Sequence, residues 1–117
     1  MSRVIKFRAW AAYGEMLTNI QNHIGNGPWA FGTMLTKPDE FSIMQFTGLT
    51  DINGVEIYEG DIVSVAGHGN CEVKITSYLG VVYVDTDGYE ATHYDCADEL
   101  DYPTVIGNIY QNPELLK

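Results

Sequence analysis

Nowhere in this 117-residue chain do ten residues run at helical spacing before a glycine, a proline or a turn cluster interrupts them. A helix needs about three uninterrupted turns to bury a useful apolar stripe, so the chain is confined to short strands. Strand-like runs alternate with turn signals roughly every eight to twelve residues, the spacing of a small barrel or sandwich.

Ile5, Phe7 and Ala9 alternate with Lys6, Arg8 and Trp10, a period of two that predicts a half-buried strand. Tyr13-Gly14 turns the chain into a second strand, Glu15 to Ile20. Asn22 to Pro28 reads as a loop and Lys37-Pro38-Asp39 as a break, and the apolar segment between them, Trp29 to Leu35, fits either a helix or a strand. Phe41 to Phe46 is apolar on both faces except at Ser42 and Gln45, as in a centrally placed strand. Asp51-Ile52-Asn53-Gly54 predicts a type I′ hairpin, with Asn-Gly supplying two positive φ angles.

Four further strands follow, Val55 to Tyr58, Asp61 to Val65, Cys71 to Thr76 and Val81 to Val84. Glu59-Gly60, Gly67-His68-Gly69-Asn70 and Asp87-Gly88 reverse the chain around them. The acidic segment Tyr89 to Asp101 reads as a solvated loop or edge. In the last strand, Thr104 to Tyr110, Gly107 marks a bulge or a close backbone approach. Asn112-Pro113-Glu114 places a cap, a first-position proline and a first-turn acid on one closing helical turn. The expected fold is mainly β, a small, partly open SH3-like barrel over residues 55 to 112. It belongs to a barrel-like core at 41–117, preceded by an N-terminal β arm or subdomain at 1–40, the whole expected to form a single compact domain.

Apolar residues make up 45 % of the chain and charged residues 19 %, enough apolar surface to form a core and too much for disorder. The charge is lopsided: 16 acids face 6 basic residues, a net −10. Such a surface repels phosphate backbones, so direct nucleic-acid binding is not expected. No stretch approaches the roughly 18 apolar residues of a membrane span, and the first residues do not read as a signal segment. With Cys71 and Cys96 the only cysteines, the chain does not read as a secreted disulfide framework, and a cytosolic location is expected in whatever cell makes it.

Three stretches, IKFRAW at Ile5 to Trp10, MQFTGLTDINGVEIYEGDIV ending at Val63, and VIGNIYQNPELL at Val105 to Leu116, resemble the YopX-like family of bacteriophage and prophage proteins. They stand in that family's order and at both ends and the centre of the chain. The resemblance implies a small, largely β phage or prophage protein, homo-oligomeric and acting in the cytoplasm of the bacterial host cell, and it implies no activity. One departure is visible: Ala11-Ala12-Tyr13-Gly14 stands where the family continues with a charged turn. Gln21 to Glu40 and Ala66 to Asp101 are peculiar to this member.

No nucleotide-binding loop or catalytic triad signature is present, so no catalytic residue is assigned and a non-enzymatic protein is expected. Glu56, Glu59 and Asp61 cluster around a hairpin without a histidine or nucleophile beside them, which reads as structure. Each cysteine has a histidine three residues before it, His68 with Cys71 and His93 with Cys96. No cofactor is expected, although two imidazoles and two thiolates would complete a tetrahedral structural zinc site, the one alternative the sequence admits. The competing reading makes Cys71 a small core residue alternating with Val73 and Ile75, and the histidines surface turn residues.

Two partner hypotheses remain. One is a self-associating β module that binds a host or phage protein. The other is an inhibitor that mimics nucleic acid and presents Asp95, Asp98, Glu99 and Asp101 to a basic protein.

Overall fold

The computed structural model describes residues 5–25, 27, 29–93 and 102–117. Two compact units divide the chain, Met1–Phe46 and Thr47–Lys117, and the strand β3 (Phe41–Thr50) runs through the boundary between them.

In the first unit β1 (Phe7–Ala11) lies between β2 (Glu15–Leu17) and the first half of β3, antiparallel to both, with Ala9 opposite Leu17 on one side and Ile43 on the other. The alternation of Phe7, Ala9 and Ala11 puts these residues on the core face. Ala9 and Ala11 have no accessible surface, and their small side chains leave room for Ile20 and Met34, which are also fully buried. Each of these two larger residues contributes roughly 1.5–3 kcal/mol by leaving water.

The second strand stops at Leu17, short of the expected Ile20, because Asn19 adopts a left-handed conformation (φ 53°) that no strand continues. Ile20 instead opens a 3-10 turn, Ile20–Asn22, that points it into the core. The ambiguous segment Trp29 to Leu35 resolves into a short helix, α1 (Phe31–Leu35). Phe31 and Met34, three residues apart, pack on the core while Leu35 is exposed. Pro38 forbids helical continuation just beyond it.

The second unit holds the end of β3, then β4 (Glu56–Tyr58) and a five-stranded antiparallel sheet. The order across that sheet is β8 (Glu90–Thr92), β7 (Gly80–Val84), β6 (Gly69–Thr76), β5 (Asp61–Val65), β9 (Thr104–Asn108). It curls into a half-barrel, so the fold is mainly β and of the small-barrel kind expected. Val63 faces Cys71 across β5 and β6, and Val73, Tyr83 and Ala91 form a row across β6, β7 and β8. With Ile57 and Val65 they make one buried cluster. The expected acidic edge is the edge strand β8, as far as Thr92; residues 94–101 lie outside the described residues.

The hairpin after β3 differs from the type I′ turn expected. Gly54 has a positive φ of 81°, but Asn53 does not, and the pair Asp51 N–H to Val55 O (2.8 Å) and Gly54 N–H to Asp51 O (3.0 Å) closes a three-residue loop. The cause is Asp51, whose Oδ1 accepts from the N–H groups of Asn53 (2.8 Å) and Val55 (2.9 Å) and so selects a type I turn followed by a left-handed glycine. The same device recurs at Asp85: Oδ1 accepts from Asp87 and Tyr89, and Gly88 takes φ 88°.

Gly107 is both a bulge and a close approach. The β5–β9 register slips so that Ile62 faces Gly107 and Val63 faces Val105, leaving Ile106 as the extra residue of a bulge. A Cβ at 107 would also lie 2.5 Å from Asn112 Oδ1. The closing turn, Pro113–Leu116, is a 3-10 turn, and the predicted cap is not made, because Asn112 Oδ1 instead accepts from the Asn108 N–H at 3.3 Å.

Candidate functional site

Several elements of the first unit end around one open depression of about 580 Å³, lined by Ala12, Tyr13, Trp29, Lys37, Glu40 and Phe41. Tyr13 sits at the tip of the β1–β2 hairpin, Trp29 one residue before Ala30, the N-cap of α1, and Phe41 at the start of β3. The Ala12 N–H donates to Glu40 O at 2.8 Å and ties the hairpin to the residues that lead into β3.

The three rings form a continuous row. Tyr13 and Trp29 meet edge to face with centroids 5.8 Å apart at 87°, and Trp29 meets Phe41 at 6.0 Å and 76°. Phe41 anchors the row in the core at 7 % exposure, while Tyr13 and Trp29 are 58 % and 51 % exposed. Two large aromatic rings held in fixed geometry and half open to solvent are uncommon in a resting core. Lys37 Nζ and Glu40 Oε2 pair at 3.7 Å on the rim. Tyr13's hydroxyl is held above its usual pKa by desolvation and by the charge and hydrogen bond of Glu15, which brings a second carboxylate to this hairpin.

The residues singled out in the sequence are placed elsewhere. Cys71 is wholly buried in the core of the second unit, its thiol 3.7 Å from Gly69 O. His68 stacks on Tyr89, centroids 5.8 Å apart and rings 7° from parallel. His93 Nδ1 is 2.7 Å from the Tyr83 hydroxyl, its ring edge-on to Tyr102, and burial lowers its pKa. Cys96 lies outside the described residues. Among those described, no group of three His, Cys, Asp or Glu side chains could hold a metal ion.

Asp95, Asp98, Glu99 and Asp101 also lie outside the described residues. Of the carboxylates around the Glu59-Gly60 reversal, Asp61 is 2 % exposed and accepts the Tyr58 N–H at 2.8 Å, which fixes the turn.

Asp51 carries a role its turn position did not reveal. Besides the two bonds at Oδ1, its Oδ2 accepts the Val105 N–H at 2.9 Å, and Ile52 N–H donates to Pro103 O at 3.1 Å. The hairpin tip thereby covers part of the backbone edge of β9. An exposed edge is a template for unwanted pairing, and a carboxylate on its N–H group blunts it.

The model of the YopX protein family matches residues 6–117. Among solved structures, the crystal structure of protein EF1440 from Enterococcus faecalis is similar over 99 % of this chain and 100 % of its own, at 30 % identity and a TM-score of 0.66. Among curated proteins, none matches.

Proposed function

The chain belongs to the YopX family, and from that premise we propose that it is a non-enzymatic phage or prophage accessory protein that binds another protein through the Tyr13–Trp29–Phe41 face. The observation that supports this reading is the half-exposed aromatic row over an open depression. Tyr and Trp dominate the binding energy of protein interfaces because they present a large rigid area at small entropic cost. Here Phe41 fixes the row from below and the hairpin and α1 fix it from the sides, so little ordering remains to be done on binding.

Affinity capture from phage-carrying host cells tests the reading. The unmodified chain retains a partner that Trp29→Ala loses, while Tyr78→Ala, which removes a 68 % exposed aromatic of the second unit, retains it. Equal retention by Trp29→Ala and the unmodified chain would sink the proposal.

A further inference from the structure

Resting on that reading, we propose that the group received by the depression is an arginine side chain of the partner protein. The ring of Trp29 stands close to a right angle to both Tyr13 and Phe41, so a planar group entering there meets ring surface on more than one side. A guanidinium is planar, weakly hydrated for a cation, and stacks on aromatic faces better than an ammonium does.

Glu40 stands on the rim of the same depression and offers the carboxylate that a guanidinium binds through two parallel hydrogen bonds. Its present companion, Lys37, is a loose one at 3.7 Å, with the two side chains 48 % and 60 % exposed. Exposed pairs of this kind are weak, so an incoming cation displaces Lys37 at small cost. The Glu15 carboxylate at Tyr13 adds a second negative charge to the hairpin.

This unit already holds a cation against a ring elsewhere, for Lys6 Nζ lies 4.7 Å from the centroid of Phe46. An aliphatic occupant would instead cover Glu40 and Lys37 without offering either a hydrogen bond in return.

The test uses the full-length chain with small capped amino acids as probes. N-acetyl-arginine amide, N-acetyl-lysine amide and N-acetyl-leucine amide are titrated while the indole N–H signal of Trp29 is followed by NMR, assigned by its loss in Trp29→Phe. The arginine probe shifts that signal saturably and more tightly than the other two. Glu40→Gln weakens its binding about three- to tenfold, and Lys37→Ala tightens it about two- to fivefold by releasing the carboxylate. A leucine probe that binds as well as arginine, or a Lys37→Ala variant that binds arginine more weakly, overturns the inference. Either result, together with partner capture that still depends on Trp29, overturns the arginine and leaves the binding face standing.

Discussion

Asp51 and Asp85 occupy equivalent positions in two nearly identical loops, Asp51-Ile52-Asn53-Gly54-Val55 and Asp85-Thr86-Asp87-Gly88-Tyr89, yet they carry different loads. Asp51 is 4 % exposed and accepts three backbone N–H groups, one from β9, whereas two such bonds, both within its own loop, are seen at Asp85. Asp51→Ala strands those donors and destabilises the protein by about 2–4 kcal/mol, against about 1 kcal/mol for Asp85→Ala, read as a difference in denaturant midpoints.

The pH dependence follows from the same contacts. Burial raises the Asp51 pKa, but the bonds from Val105, Val55 and Asn53 outweigh it, and the folded-state value lies below that of an ordinary carboxyl. The stabilisation is therefore complete above the usual carboxylate range and is lost as pH falls through the lowered value. His93, whose pKa burial lowers, costs stability earlier, as pH falls through the ordinary imidazole range. Midpoints measured between about pH 7 and pH 2 will decline in both windows, and Asp51→Asn will flatten the lower decline alone.

At the scale of elements, the sheet depends on one close approach. Gly107 faces Asn112 so tightly that an added Cβ would lie 2.5, 2.8 and 3.0 Å from its Oδ1, Cγ and Cβ. The whole Asn112 side chain would have to move, giving up the Asn108 N–H. Gly107→Ala will cost about 1–3 kcal/mol, and adding Asn112→Gly will recover part of it, a non-additivity that thermal melts of the double variant will read.

This constraint was legible in the sequence, because a glycine weakens a strand interior and is placed there where the chain bulges or a neighbour leaves no room for a Cβ. So was the alternation of Cys71 and Val73 with polar neighbours, which the pleat turns directly into a core face. The hairpin type was not legible from Asn53-Gly54, since that pair serves both two- and three-residue loops. The choice was made by the Asp51 carboxylate two residues upstream. Trp29 to Leu35 was too short an apolar run for period to decide, and tertiary burial of Phe31 and Met34 settled it as α1.

Over the whole molecule, each unit has its own apolar cluster, and the basic residues are shared unequally. Arg3, Lys6, Arg8 and Lys37 stand in the first unit and only Lys74 and Lys117 in the second, which carries most of the acid. Chemistry-bearing residue types drew the sequence reading toward His68, Cys71, His93 and Cys96 in that second unit. The candidate face lay elsewhere because Tyr13, Trp29 and Phe41 are far apart in sequence and meet only once β1 has paired with β3. One signal was available: both exposed rings sit in turn clusters, Tyr13 before Gly14 and Trp29 after Pro28, where strand alternation gives an aromatic no core to enter.

The most direct measurement is site-specific photo-crosslinking in phage-carrying cells, with a photoreactive phenylalanine placed at Tyr13 and, in a parallel chain, at Tyr78. Binding through the aromatic row predicts a discrete protein adduct from position 13 and none from position 78. An adduct from position 78 alone, or none from position 13, would contradict it.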